Sequence, residues 1–181
     1  MRSIAVAALA SGLLLAGCGV DPDAVPPGEE PPAAVNESPA SLDLEASGII
    51  VPAQGGFERL DIPFGSSRLG TEATLQNVLG KPVAAGSTND CGLNAVQFDG
   101  LTVQFRDDKF VGYYATAPFV PELTRAEMLA DSQVAPIEDS TLGEEFIIGD
   151  PQGPSIAGLF AGAQADAPVS SLWAGENCIA R

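Results

Sequence analysis

Residues 93–115 restrict the fold more than any other stretch. Short runs alternate between apolar and polar residues, and turn residues separate the runs at close intervals. Asp99-Gly100 reads as a two-residue hairpin turn, a geometry that favours positive φ at both positions. Residues 101–106 place Leu101, Val103 and Phe105 on one face and Thr102, Gln104 and Arg106 on the other. Asp107-Asp108 makes the next turn, and residues 109–115 form a third strand. A chain that reverses this often, with a period of two, folds as an antiparallel meander with one face buried.

Residues 71–79, just upstream, read as a short helix. Thr71 caps it, Glu72 suits its positive end, and Leu75, Val78 and Leu79 form one apolar face. Gly80 and Pro82 end it. A fainter copy of the pattern follows. Thr124-Arg125-Ala126-Glu127 fits a capping box for a helix reaching about Ser132. Residues 144–148 and 169–174 read as strands. Residues 155–160 suit either a return strand, mirroring the first unit, or a helix opened by Pro154. The predicted class is α+β: two helix-plus-three-strand repeats, about 57–118 and 119–181, forming one antiparallel sheet with short helices on one face. One such unit buries too little to stand alone, whereas two can share a core.

The N-terminus carries a different kind of signal. A basic Met1-Arg2-Ser3 precedes an apolar run from Ile4 to Ala16, too short for a stable membrane span and of the length of a signal-peptide core. It ends in Leu15-Ala16-Gly17-Cys18, which resembles a bacterial lipobox. The resemblance implies that residues 1–17 are removed and that Cys18 becomes the lipidated N-terminus. Two or three acyl chains anchor stably where one does not. Gly19 stands where an Asp would retain a lipoprotein in the inner membrane, so such sorting rules imply the periplasmic side of the outer membrane, the alternative being another face of the envelope membranes. Residues 18–46 then read as a tether. Asp21, Asp23, Glu29, Glu30, Glu37, Asp43 and Glu45 meet no Lys or Arg there, and six prolines from Pro22 to Pro39 favour extended chain. The domain proper is expected over 47–181.

Composition removes several functions. A net charge of -16, with Lys+Arg 8 against Asp+Glu 24, leaves no basic face for nucleic acid. The absence of histidine removes His-based triads, His-ligated zinc and the commonest neutral-pH general base. With Cys18 committed to lipid, Cys91 and Cys178 remain as an even pair in an oxidising compartment, flanking the predicted strand set. A Cys91–Cys178 disulfide is expected; two free thiols without histidine would make a poor metal site. Residues 65–70 are glycine-rich but lack the ending of a phosphate loop and the spacing of a nucleophile elbow. Asp107-Asp108 and Glu144-Glu145 are adjacent, so on strands they point to opposite faces and suit paired-carboxylate chemistry badly. Phe110, Tyr113, Tyr114 and Trp173 are candidates for an exposed recognition surface, with core membership as the competing role.

The segment Leu69-Gly70-Thr71 through Val78-Leu79-Gly80-Lys81-Pro82 resembles the signature of small envelope lipoproteins of the BamE (SmpA/OmlA)-like family, although it lacks the Met usual after that first glycine and differs in spacing. The tandem arrangement is similar to β-lactamase-inhibitor-protein-like repeats. The tail Leu172-Trp173-Ala174-Gly175 through Cys178 to Arg181 is similar to that of uncharacterised periplasmic lipoproteins. These resemblances imply a protein-binding habit and supply no catalytic residue. The expected function is a lipid-anchored periplasmic module, without catalysis, cofactor or metal, that contacts the membrane through the lipid on Cys18 and binds a protein partner or supports envelope organisation. Two other readings stay open: a small-molecule or cation-binding lipoprotein, suggested by the acidic domain, and a carboxylate-based hydrolase.

Overall fold

A computed structural model describes residues 40–180, which belong to the second of two units into which the chain divides, Ser38–Arg181. Three strands come first: β1 (Asp43–Glu45), β2 (Gly48–Val51) and β3 (Leu60–Pro63), in an antiparallel sheet of that order. Strand β1 corrects the tether boundary, because residues 43–45 are paired with β2 through Asp43↔Ile50, Leu44↔Ile49 and Glu45↔Gly48. The charge of Asp43 and Glu45 conceals a period-two alternation. Both are exposed, while Leu44 between them turns inward against the core. Ahead of β1, the Gln54 side-chain amide grips the Ser41 backbone, accepting from its N–H at 2.9 Å and donating to its carbonyl at 2.7 Å.

Helix α1 (Arg68–Leu79) begins three residues earlier than Thr71. Ser67 is the N-cap, its hydroxyl accepting from the Gly70 N–H at 3.3 Å, and Thr71 is a buried interior residue. Gly80 ends the helix at φ 82°, a conformation that glycine adopts without a Cβ penalty. Four strands follow: β4 (Ala84–Thr88), β5 (Asn94–Phe98), β6 (Leu101–Arg106) and β7 (Lys109–Ala115). Then come α2 (Arg125–Leu129) and four more: β8 (Val134–Pro136), β9 (Glu145–Gly149), β10 (Ser155–Phe160) and β11 (Val169–Gly175). Residues 155–160 are therefore a strand. The capping box at α2 is formed as the sequence indicates, with Thr124 and Glu127 bonding reciprocally.

The α+β expectation is corrected. Among the described residues the chain is mostly β, with eleven strands in antiparallel sheets of three and eight and only two short helices. Each helix leads into four strands rather than three, and the order of the large sheet is β4-β5-β6-β7-β11-β10-β9-β8. Strands β1 to β4 and β8 were not read from the sequence, and two of them, β4 and β8, have no readable pattern. Strand β4 is Ala-Ala-Gly-Ser-Thr, exposed along its whole length, and β8 has three residues ending in Pro136. The turns also differ from expectation. Asp107 and Asp108 both take positive φ, at 49° and 56°, whereas in the Asp99-Gly100 turn only Gly100 does, at 74°.

The last strands of the two meanders, β7 and β11, pair antiparallel at the centre of the large sheet. Registers define rows of residues running across it on a common face. One such row is Phe98–Leu101–Ala115–Leu172–Gly158–Phe146–Pro136. This face carries the core. Ile49, Val51 and Ile62 of the small sheet and Leu75 of α1 pack on Val96, Phe98, Val103, Tyr113 and Ala174, and Met128 of α2 packs on Phe146 and Leu172. Full burial of each such side chain contributes about 1.5–3 kcal/mol. Gly158 is required by this packing: a Cβ there would lie 2.5 Å from Phe146 Cζ and 2.7 Å from Leu172 Cδ2. The buried Tyr113 hydroxyl donates to the Glu45 carbonyl at 3.0 Å, tying the large sheet to β1. Burial, and then the nearby Glu45 carboxylate, pushes that hydroxyl well above the ordinary tyrosine pKa. Among the described residues, no helix is long and apolar enough to cross a membrane.

Candidate binding face

Because strand side chains alternate, the large sheet has a second face. The registers define one row that crosses all eight strands on it: Ala84–Gln97–Thr102–Tyr114–Trp173–Ala157–Ile147–Ala135. Its ends are exposed, its flanks half-buried, and Trp173 at its centre is only 6% exposed. Tyr114 and Trp173 stack there, with ring centroids 6.2 Å apart and planes 16° from parallel. The apolar residues of α1, α2 and the small sheet pack on the first face, as set out above.

The four aromatic candidates therefore separate. Tyr114 and Trp173 share the second face, with Tyr114 half-buried and Trp173 buried, which corrects the assignment of Trp173 to an exposed surface. Phe110 and Tyr113 are fully buried in the core of the first, which corrects their assignment to an exposed surface. Tyr113 follows from alternation, since its neighbour Tyr114 points the other way. Phe110 follows from a bulge. The register of β6 on β7 steps from Gln104↔Gly112 to Phe105↔Phe110, which skips Val111 and brings Phe110 round to the face of Tyr113.

One end of the second face is covered by the chain that leaves β11. Gly112 belongs to the row next to Tyr114, and a Cβ on it would lie 2.1 Å from the Glu176 carbonyl oxygen. The Glu176 N–H donates to the Val111 carbonyl at 2.8 Å, and its carboxylate pairs with Arg106 Nε at 2.8 Å. Two residues on, Cys178 is bonded to Cys91, with Cα atoms 5.6 Å apart. The disulfide anticipated from the cysteine pair is thus present. Cys91 sits in a loop organised by Asn89, whose Oδ1 accepts from the N–H groups of Cys91 and Leu93 at 3.1 and 3.0 Å. The Asn89 amide nitrogen lies 3.5 Å from Gln104 Oε1, and Gln104 is only 7% exposed although it faces the second side.

The carboxylate pairs do not build a reacting centre. Asp107 and Asp108 are exposed in their turn. Glu144 pairs with Arg125 at 3.3 Å, whereas Glu145 is buried and accepts from the Ser140 hydroxyl at 2.5 Å. The cleft beside Trp173, about 360 Å³, is lined by Ala46, Phe64, Pro154, Ala157 and small neighbours, with no titratable group. Among the described residues, no three His, Cys, Asp or Glu side chains are placed to hold a metal ion. The lipidation candidate Cys18 lies outside the described residues, as do the signal segment and most of the tether. Sequence reasoning placed Gln104 on this face by the alternation of residues 101–106 but missed Gly112; the one available signal for it was the glycine set between Val111 and Tyr113 in an otherwise unbroken strand.

A comparison with known proteins finds no matching family model, no matching curated protein and no matching solved structure.

Proposed function

We propose that this chain is a lipid-anchored, non-catalytic module of the bacterial envelope that binds a protein partner through the second face of its large sheet. The observation that carries the reading is the row across eight strands with the stacked Tyr114–Trp173 pair at its centre. The half-buried Tyr114, backed by the buried Trp173 and bordered by Thr102 and Gln97 on one side and Ala157 and Ile147 on the other, supplies the kind of central aromatic contact that dominates protein interfaces. The net charge of -16 favours a partner with a basic rim and disfavours close approach to anionic lipid headgroups.

The lipobox-like Leu15-Ala16-Gly17-Cys18 supports anchoring through Cys18, and Gly19 supports the periplasmic side of the outer membrane. The acidic, proline-rich stretch after Cys18 then acts as a spacer that holds the binding face off the membrane. Two measurements test the proposal. Cys18→Ser is expected to leave an unprocessed precursor or a soluble product; unchanged fractionation and migration contradict the anchor. Tyr114→Ala is expected to weaken partner recovery from detergent-solubilised envelopes at least about tenfold, as central aromatic truncations do. Recovery unchanged by Tyr114→Ala contradicts the binding face.

A further inference from the structure

The C-terminal segment after β11 lies on the candidate face and is tied there by a disulfide, a backbone hydrogen bond and an exposed ion pair. Gly112 has no side chain, and the Glu176 backbone occupies the space: a Cβ would meet the Glu176 oxygen at 2.1 Å and its carbon and nitrogen at 2.8 Å. Beyond the disulfide, few polar contacts tie the segment to the neighbouring strands among the described residues. The Glu176 N–H bonds to Val111, and the Arg106–Glu176 pair joins side chains that are 43% and 51% exposed, so it contributes little. The Asn177 amide donates back to Ala174 and Gly175, the strand it has just left, and its buried Oδ1 has no hydrogen-bond partner.

We propose that Cys91–Cys178 is a redox latch on the binding face. This rests on the reading of that face as the docking surface. With the bond closed, the segment covers Gly112, the cross-strand partner of Gln104. With the bond open, it lifts away and extends the face by one row beyond Tyr114 and Trp173. The chemistry is thiol–disulfide exchange with an external dithiol. Cys91 is exposed and Cys178 half-buried, so attack falls on Cys91 Sγ. The incoming thiolate forms a mixed disulfide with Cys91, and Cys178 leaves as a thiolate that takes a proton from water. The second thiol of the dithiol then displaces Cys91. The dithiol ends as a disulfide, both cysteines end reduced, and two electrons have moved.

Hydrogen exchange on the purified protein reads the latch without any partner. Reduction by dithiothreitol, or Cys91→Ser, is expected to raise exchange at the Glu176 amide by at least about tenfold more than at Val103 and Leu172, whose protection falls only with the global stability, as local opening does. Retained protection at Glu176 overturns the latch. So does an equal fold-loss of protection at Glu176, Val103 and Leu172, which makes the bond a global staple and nothing more. A photoreactive side chain at Thr102 is expected to capture the partner in both redox states, and one at Gln104 only after reduction; equal capture from Gln104 before reduction overturns the regulatory claim. Absence of capture from either position sinks the docking face, with the latch still decided by exchange.

Discussion

Tyr113 and Tyr114 are neighbours with opposite fates, and the difference is a matter of parity. Tyr113 spends its hydroxyl on the Glu45 carbonyl inside the core, while Tyr114 stacks on Trp173 across the sheet. Gly158 shows the same economy of space on the core face. Gly158→Ala is expected to destabilise by about 1–3 kcal/mol, because Phe146, already stacked 4.3 Å from Phe160, cannot retreat from a new methyl. Equal denaturation midpoints for the variant and the parent contradict that packing. Glu127 gives a pH-dependent test. Bonds from the Thr124 N–H and then the Thr124 hydroxyl lower its pKa below the ordinary 4.5. The folded value is the depressed one, so the capping contribution is fully present above 4.5 and is lost as the pH falls through the folded value. Glu127→Gln is expected to lower the melting temperature at neutral pH, with a gap that closes in strong acid. A gap that widens in acid contradicts the sign.

Strands β2 and β3 carry apolar residues and were still not read, whereas other elements were legible from their own pattern. Strands β5 to β7 show alternation with turn residues between them, and the α2 capping box reads directly from Thr124 and Glu127. Strand β4 exists because β5 offers it an edge, and its own Ala, Gly and Ser residues give no periodicity to read. In β1 a single leucine between two acids does the packing, and charge hides it. Burial at one position and pairing with β2 override the composition of the segment. A chain starting at residue 47 is therefore expected to be about 2–4 kcal/mol less stable than one starting at residue 40. It loses Leu44 from both core clusters and leaves the Tyr113 hydroxyl without its acceptor. Identical urea midpoints for the two chains contradict a structural role for β1. The candidate face was half legible: Trp173 and Tyr114 could be named, but the bulge that removes Phe110 from it arises only from pairing between β6 and β7.

At the scale of the whole molecule, the disulfide closes a loop spanning 87 residues and joins the loop between β4 and β5 to the segment after β11. In the chain-entropy model such a bond contributes about 4–5 kcal/mol, against a net stability of about 5–15 kcal/mol for a small domain. Cys91→Ser, Cys178→Ser and the double variant are expected to melt at a common, lower temperature, and divergence among the three contradicts a role through the bond alone. A redox latch requires that the sheet survive without the bond. Its means of doing so are the continuous β7–β11 pairing and two core clusters that both take in Leu44 and Ile156.

The second face of that sheet as the partner-binding surface is the central claim, and site-specific photo-crosslinking in intact cells tests it most directly. The comparison is between photoreactive side chains at Thr102 and Ala157, which flank the aromatic pair, and one at Leu69, which is 81% exposed on α1 across the molecule's other layer. The account predicts one and the same crosslinked species from Thr102 and Ala157, none from Leu69, and its loss on Tyr114→Ala. Capture of that species from Leu69, with none from Thr102 or Ala157, contradicts it.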